Sequence, residues 1–179
     1  MKFHDSKMAS IFKLPDDLLT SLFMNFSCRE AQISALTTLI HPKIAPCRNI
    51  VVHGTEATGK SAIIGELLQT LCNDSLSELN YAIVKSTECV TARHLFERTV
   101  GLVQDALRNG TTPGRCETLA ALTAELTKML KYAERDPESR FVLVFDGIDR
   151  QRDAPPTLLP GLARLSEIVC PVHDFAKFS

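Results

Sequence analysis

Short apolar runs alternate with amphipathic segments along this chain of 179 residues. Three runs are typical of buried β-strands, because each holds consecutive β-branched or aromatic residues between polar boundaries. They are residues 49–53, 81–85 and 141–145. Apolar residues at helical spacing predict helices over about 15–25, 61–72, 91–108, 117–133 and 158–169. The apolar faces predicted for the helices before residue 75, including one before the first strand, consist of Leu18, Leu19, Leu22, Phe23, Ile33, Leu36, Leu39, Ile40, Ile63, Ile64, Leu67, Leu68 and Leu71. This alternation predicts an α/β fold with a parallel sheet, in which the continuous apolar run at 141–145 is covered on both faces.

A further helix is predicted before the first strand. Ser27 and Glu30 have the spacing of a capping box, and Pro42 ends the apolar pattern that follows. Residues 1–14 form a loosely ordered extension in this interpretation. The tail 170–179 has no apolar run.

Composition and charge exclude several classes of function. The net charge is −1, so the whole chain is no electrostatic binder of nucleic acid. The six cysteines form no C-x-x-C pair, which favours reduced thiols, several of them buried. The polar start lacks the apolar core of a signal peptide, and no apolar run has membrane-spanning length. We therefore expect no membrane partner.

The segment after the first predicted strand fits the phosphate-binding pattern G-x-x-x-x-G-K-[ST], the Walker A motif. Its residues are Gly54, Thr55, Glu56, Ala57, Thr58, Gly59, Lys60 and Ser61. The two glycines permit a tight loop whose N–H groups face phosphate at a helix N-terminus. Lys60 supplies positive charge for the β- and γ-phosphates, and the Ser61 hydroxyl is a suitable Mg²⁺ ligand. The alternative is a glycine turn before an ordinary surface helix. That alternative does not explain why Lys60 and Ser61 stand at the start of the helix, because they have no role in packing there.

An acidic residue, Asp146, follows the apolar run 141–145 and resembles a Walker B element. A carboxylate at the carboxyl end of a parallel strand is expected near the ligand, where it holds Mg²⁺ opposite Ser61. The alternative is an aspartate that caps the next turn. Position 147 is glycine, which has no side chain to activate water, and Asp149 is a possible substitute base. We predict ATP binding with Mg²⁺, little or no hydrolysis and no catalytic residue.

Other polar residues near these motifs have structural explanations. His53 is interpreted as a packed core or loop histidine. Thr91 is predicted to cap the helix over 91–108. Glu88 and Cys89 either approach the nucleotide site or, in the favoured interpretation, cap the next helix. Glu56 lies at a variable position of the loop, and its carboxylate is expected to point away from phosphate.

Three segments carry a resemblance to a known family. The helix with the pattern R-E-x-Q-I within residues 28–33, followed by Leu36, resembles the first helix of replication-initiator AAA+ ATPases. Residues 85–96 and 158–167 also fit that family. The combination, with Asp-Gly in place of the Asp-Glu of active members, is most similar to the family of the fifth subunit of the eukaryotic origin recognition complex. The resemblance covers residues 14–169.

The resemblance implies a P-loop NTPase with a three-layer αβα core and strand order 5-1-4-3-2. It also implies a nuclear, ATP-binding subunit that supports replication initiation with other origin recognition complex subunits and origin DNA. We expect a partial AAA+ domain over residues 15–169, truncated before the sensor 1 strand. The strands at 49–53 and 141–145 then either expose unpaired edges or pair directly in a three-stranded sheet.

Two other functions stay open at this point. An active P-loop NTPase or small-molecule kinase is compatible with the size and the phosphate loop. A STAND-type signalling NTPase that acts as a nucleotide switch has a similar core. The sequence leaves open nucleotide affinity, DNA contacts, the role of Asp149 and whether the short form is a natural product.

Overall fold

A computed structural model of the chain describes residues 16–41, 47–74, 79–108, 114–131, 140–151, 153 and 155–169. Within them lie the helices and strands α1 (Asp16–Asn25), α2 (Glu30–Ile40), α3 (Lys60–Asn73), β1 (Leu79–Lys85), α4 (Ala92–Leu107), α5 (Leu119–Lys131), β2 (Arg140–Asp146), α6 (Leu158–Ala163) and α7 (Leu165–Val169). Short 3₁₀ turns, Ser86–Glu88 and Ile148–Arg150, follow the two strands. The chain divides into two compact units, residues 1–79 and 80–179. The predicted extension 1–14 and tail 170–179 lie outside the described residues.

The first unit contains three helices that pack against one another. α1 contacts α2 and α3, and α2 contacts α3. Their buried apolar side chains are Leu19, Leu22, Ile33, Ile40, Ile63, Leu67, Leu68 and Leu71. Fully burying one such side chain favours folding by about 1.5–3 kcal/mol, so these contacts hold the three helices together. All eight belong to the faces that helical spacing predicted, whereas Leu39, predicted on the same face of α2, is exposed.

The start of α2 differs from the predicted capping box. The helix begins at Glu30, and Arg29 is its N-cap without a side-chain capping bond. Cys28 has a φ of 64°, in the left-handed region, and its N–H donates to Glu30 Oε1 over 3.1 Å. Because the left-handed residue interrupts the helical path, Ser27 lies too early to cap the helix.

The predicted strand at 49–53 is absent from the described structure. Residues 49–55 have no regular secondary structure, and Val51 is 84% exposed. A strand is stable only when a neighbour satisfies its backbone groups. In the described residues the sheet contains β1 and β2 alone, and they pair with each other. The expected three-stranded sheet therefore does not occur there.

The second unit contains a small parallel sheet of β1 and β2. β1 includes the predicted run 81–85 and β2 includes the predicted run 141–145, so both strand predictions are confirmed. Every residue of β2 is half-buried, and Phe141, Leu143 and Phe145 pack against the core of the second unit. The cover of both sheet faces stays a prediction. Among the described residues β2 borders a single strand, β1.

The core of the second unit lies between β1, α4, α5 and the C-terminal helices. α5 contacts both α4 and α7. The predicted cap of α4 is confirmed, since the Thr91 hydroxyl accepts from the His94 N–H over 3.1 Å. The buried apolar cluster consists of Ala82, Val84, Cys89, Leu95, Phe96, Val100, Val103, Cys116, Leu122, Leu126, Met129, Leu158, Leu165 and Val169.

The predicted helix over 158–169 is divided in two. The Arg164 N–H bonds to the Gly161 carbonyl over 3.2 Å, the i→i+3 pattern that tightens a helix end. Gly161 lies so close to α5 that an added Cβ would overlap Leu119 Cδ2. A glycine at this position therefore allows α6 to approach α5.

The observed class is α/β with a small parallel sheet, as predicted in coarse form. The three-layer arrangement and the full strand order stay predictions. None of the described helices is long and apolar enough to cross a bilayer. In the same residues no group of three or more His, Cys, Asp or Glu side chains has the arrangement of a metal site.

Candidate nucleotide-binding site

The phosphate loop lies in the first unit, immediately before α3. Gly54 and Gly59 have φ values of 150° and 79°, which L side chains rarely adopt. Gly59 is the N-cap of α3, so the loop leads directly into the first turn of the helix and its backbone N–H groups. These N–H groups and the positive end of the helix dipole form a suitable site for an anion.

The ammonium group of Lys60 spans the phosphate loop. Its Nζ lies 3.0 Å from the Gly54 carbonyl oxygen and 2.6 Å from the Thr55 carbonyl oxygen. It also lies 3.4 Å from Thr58 Oγ1, which donates to the Thr55 carbonyl over 2.9 Å. Lysine has three N–H donors, and the loop matches them with three oxygen atoms. Lys60 therefore fastens the loop to the start of α3 and holds positive charge there.

Ala57 stores strain in the same loop. Its φ is 58°, although alanine carries a Cβ. The left-handed conformation costs an L-residue roughly 1–2 kcal/mol, and glycine avoids that cost. The surrounding bonds of Lys60 and Thr58 hold the loop in this shape despite the strain.

The remaining loop residues are accessible from solvent. Thr55, Glu56 and Ser61 are exposed, and Ser61 lies in the first turn of α3. His53 is exposed and outside any strand, which fits the loop interpretation and contradicts the core one. The exposure of Glu56 does not show where its carboxylate points, so the expected direction away from phosphate stays a prediction.

The predicted Walker B residue lies in the second unit. Asp146 is the last residue of β2 and is half-buried. Gly147 follows with a φ of 65° as the N-cap of the 3₁₀ turn Ile148–Arg150, in which Asp149 is exposed. A Cβ built on Gly147 would lie 3.1 Å from Thr87 Cγ2. Any side chain at position 147 would thus need both a left-handed backbone and movement of Thr87.

Glu88 and Cys89 do not cap α4, because Thr91 occupies that position. Glu88 instead pairs with Lys85, at 3.6 Å between Oε1 and Nζ. Burial raises the pKa of the Cys89 thiol, and the pKa of Cys116 is raised to about 11, chiefly by burial. Both thiols are therefore protonated near neutral pH. All five described cysteines are free of disulfides.

Gln151 is a residue that the sequence patterns did not select. Its Nε2 donates to the Cys89 carbonyl over 2.9 Å, and so connects the segments that follow β2 and β1. Thr87 was missed for the same reason. No local motif marks either residue, because each acts through a neighbour about 60 positions away.

Two comparisons with known proteins agree with this geometry. A family model for an AAA ATPase domain matches residues 25–173. The human protein origin recognition complex subunit 5 is 32% identical over 147 residues, which are 79% of this chain and 32% of that protein. The chain thus spans about a third of the length of this relative. The chain belongs to the AAA ATPase domain family.

Proposed function

We propose that this chain binds ATP and Mg²⁺ as part of an origin recognition complex subunit and hydrolyses ATP slowly or not at all. The observation that carries the proposal is the phosphate loop, where Lys60 spans the carbonyls of Gly54 and Thr55 at the start of α3. ATP is bound by the loop residues 54–61 in this proposal. Ser61 and Asp146 are the proposed magnesium ligands.

The position after Asp146 supports binding without efficient hydrolysis. Gly147 has no group that could act as a base, and its left-handed φ disfavours other residues. Loss of a water-orienting group removes a large rate contribution from phosphoryl transfer. This argues against an active NTPase or small-molecule kinase.

The biological setting is proposed from similarity. The human relative is named as a subunit of the origin recognition complex. We propose the same setting for this chain, with other subunits of that complex and origin DNA as partners and the nucleus as location. The same similarity favours this role over a signalling NTPase switch.

Equilibrium titration of the full chain with fluorescent ATP, with and without Mg²⁺, tests the binding proposal. Lys60→Ala removes a charge-assisted contact to phosphate, and we expect affinity to fall by about tenfold or more. Lys128→Ala is the matched control, because Lys128 is an exposed lysine on α5 in the other unit. Equal affinity of the wild type and Lys60→Ala would contradict the assignment of the loop.

A further inference from the structure

We propose that Thr58 is a positioning residue that holds the Lys60 ammonium group for phosphate binding. The inference rests on the proposed function and deepens it, because it explains how the loop fixes the charge that meets phosphate. The Walker A pattern leaves position 58 variable, so the pattern itself gives the Thr58 side chain no role.

The Thr58 hydroxyl, the Thr55 carbonyl and the Lys60 ammonium group contact one another in a closed triangle. Thr58 Oγ1 donates to the Thr55 carbonyl over 2.9 Å, and Lys60 Nζ donates to the same carbonyl over 2.6 Å. Lys60 Nζ also lies 3.4 Å from Thr58 Oγ1. A carbonyl oxygen has two lone pairs, and a hydroxyl both donates and accepts, so all three contacts can exist together. The hydroxyl thus acts on Lys60 directly, through a long contact, and indirectly, through the carbonyl that lies closer to the ammonium group.

Thr58 and Lys60 also share a partly shielded position. Both are half-buried, whereas the other residues of the loop 54–61 are exposed. Hydrogen bonds are stronger where water is partly excluded. Among the four variable positions of the loop, Thr58 is therefore the one whose side chain shares the environment of Lys60.

The Thr58 hydroxyl closes the part of the loop that is under strain. Its bond to the Thr55 carbonyl spans Ala57, whose φ of 58° is in the left-handed region. Removal of the bond lets Ala57 relax and releases the Thr55 carbonyl from its position beside Lys60. The lysine side chain then has more conformational freedom to lose when phosphate binds, so we expect the affinity to fall.

The test is equilibrium titration of the full chain with fluorescent ATP in EDTA, where no metal ligand contributes. Thr58→Val keeps the shape of the side chain but removes the hydroxyl. We expect its affinity for ATP to be about three- to tenfold lower, which corresponds to the net contribution of one hydrogen bond. Thr58→Ser keeps the hydroxyl and should recover most of the loss. In a Lys60→Ala background, Thr58→Val should cause little further loss, because its effect requires the ammonium group.

Thr70→Val is the matched control, because it removes a hydroxyl that donates to the Glu66 carbonyl over 2.7 Å within α3. Thr70 is half-buried like Thr58 and lies in the same unit. This variant should bind ATP as the wild type does, and a loss equal to that of Thr58→Val would overturn the inference.

The other outcomes separate the positioning role from the proposed function. Wild-type affinity in Thr58→Val, together with a loss in Lys60→Ala, would overturn the positioning role and leave the proposed function intact. A full further loss on adding Thr58→Val to Lys60→Ala would also overturn it, because the hydroxyl would then act on the loop without Lys60. Tighter binding by Thr58→Val would show the opposite role, in which the hydroxyl draws Lys60 away from phosphate. Equal affinity of the wild type and Lys60→Ala would instead contradict the proposed function itself.

Discussion

Active members of the family that the chain resembles carry glutamate after the Walker B aspartate, where this chain has Gly147. The substitution Gly147→Glu tests whether the backbone after β2 can accommodate that glutamate. Gly147 has a φ of 65°, and a Cβ there would lie 3.1 Å from Thr87 Cγ2. The left-handed conformation alone costs an L-residue about 1–2 kcal/mol. The methyl contact adds to that cost, because Thr87 must shift by a few tenths of an ångström. We expect the free energy of unfolding to fall by roughly 1–3 kcal/mol.

Urea unfolding followed by circular dichroism measures this cost. Gly147→Ala is the matched control, because it shares the backbone conformation and the Cβ but lacks the carboxylate. Most of the loss should already appear in that variant. Adding Thr87→Ser, which removes the contacting methyl, should recover part of it. Phosphate release should stay far below about 1 s⁻¹ in the wild type and in Gly147→Glu, because the added carboxylate has no unstrained position.

The opposite result would be a Gly147→Glu variant that loses no stability and hydrolyses ATP. If Gly147→Glu were as stable as the wild type and released phosphate at an enzymatic rate that Asp146→Ala abolished, the argument from φ and from Thr87 would be wrong. The chain would then be an NTPase that lacks one side chain and is otherwise ready for hydrolysis.

Three further predictions concern strain, ionisation and packing. Ala57→Gly relieves a left-handed alanine, so ATP affinity should stay equal or rise, whereas Ala57→Val should lower it in the same titration. The pKa of Cys116 is about 11 in the folded chain against an ordinary 9.0, so the unfolded state loses its proton first as pH rises. Titration of Cys116 therefore leaves the free energy of unfolding unchanged below pH 9.0 and should lower it between pH 9.0 and about 11. In urea titrations at different pH values, Cys116→Ala should reduce this dependence on pH. Gly161→Ala forces the half-buried side chain of Leu119 to move, and should destabilise the fold by at most about 1 kcal/mol. Gly101 lies in α4 and has open space around the position of a Cβ, so Gly101→Ala should instead stabilise the fold by up to about 1 kcal/mol. Equal changes in the thermal unfolding midpoints of Gly161→Ala and Gly101→Ala would contradict this account.

The sequence alone was sufficient for features that depend on near neighbours. The phosphate loop is determined by residue types at fixed spacing, since glycines permit positive φ and Lys60 reaches carbonyls five and six positions away. Helix faces follow from periodicity, so Leu67 and Leu71 of α3 are buried as predicted. Hydrogen bonds within a helix also connect near neighbours, which explains why the Thr91 cap was predictable.

Tertiary structure decided the features that depend on distant partners. The run at 49–53 has the composition of a strand, but a strand exists only where another strand accepts its backbone bonds. The half-burial of β2 likewise depends on which residues pack against it, and its apolar run does not encode them. The 3₁₀ turns that follow β1 and β2 contact each other, and Gln151 bonds to Cys89, so both interactions join residues about 60 positions apart. Local spacing carries no information about such pairs, because chain folding and not residue order brings them together.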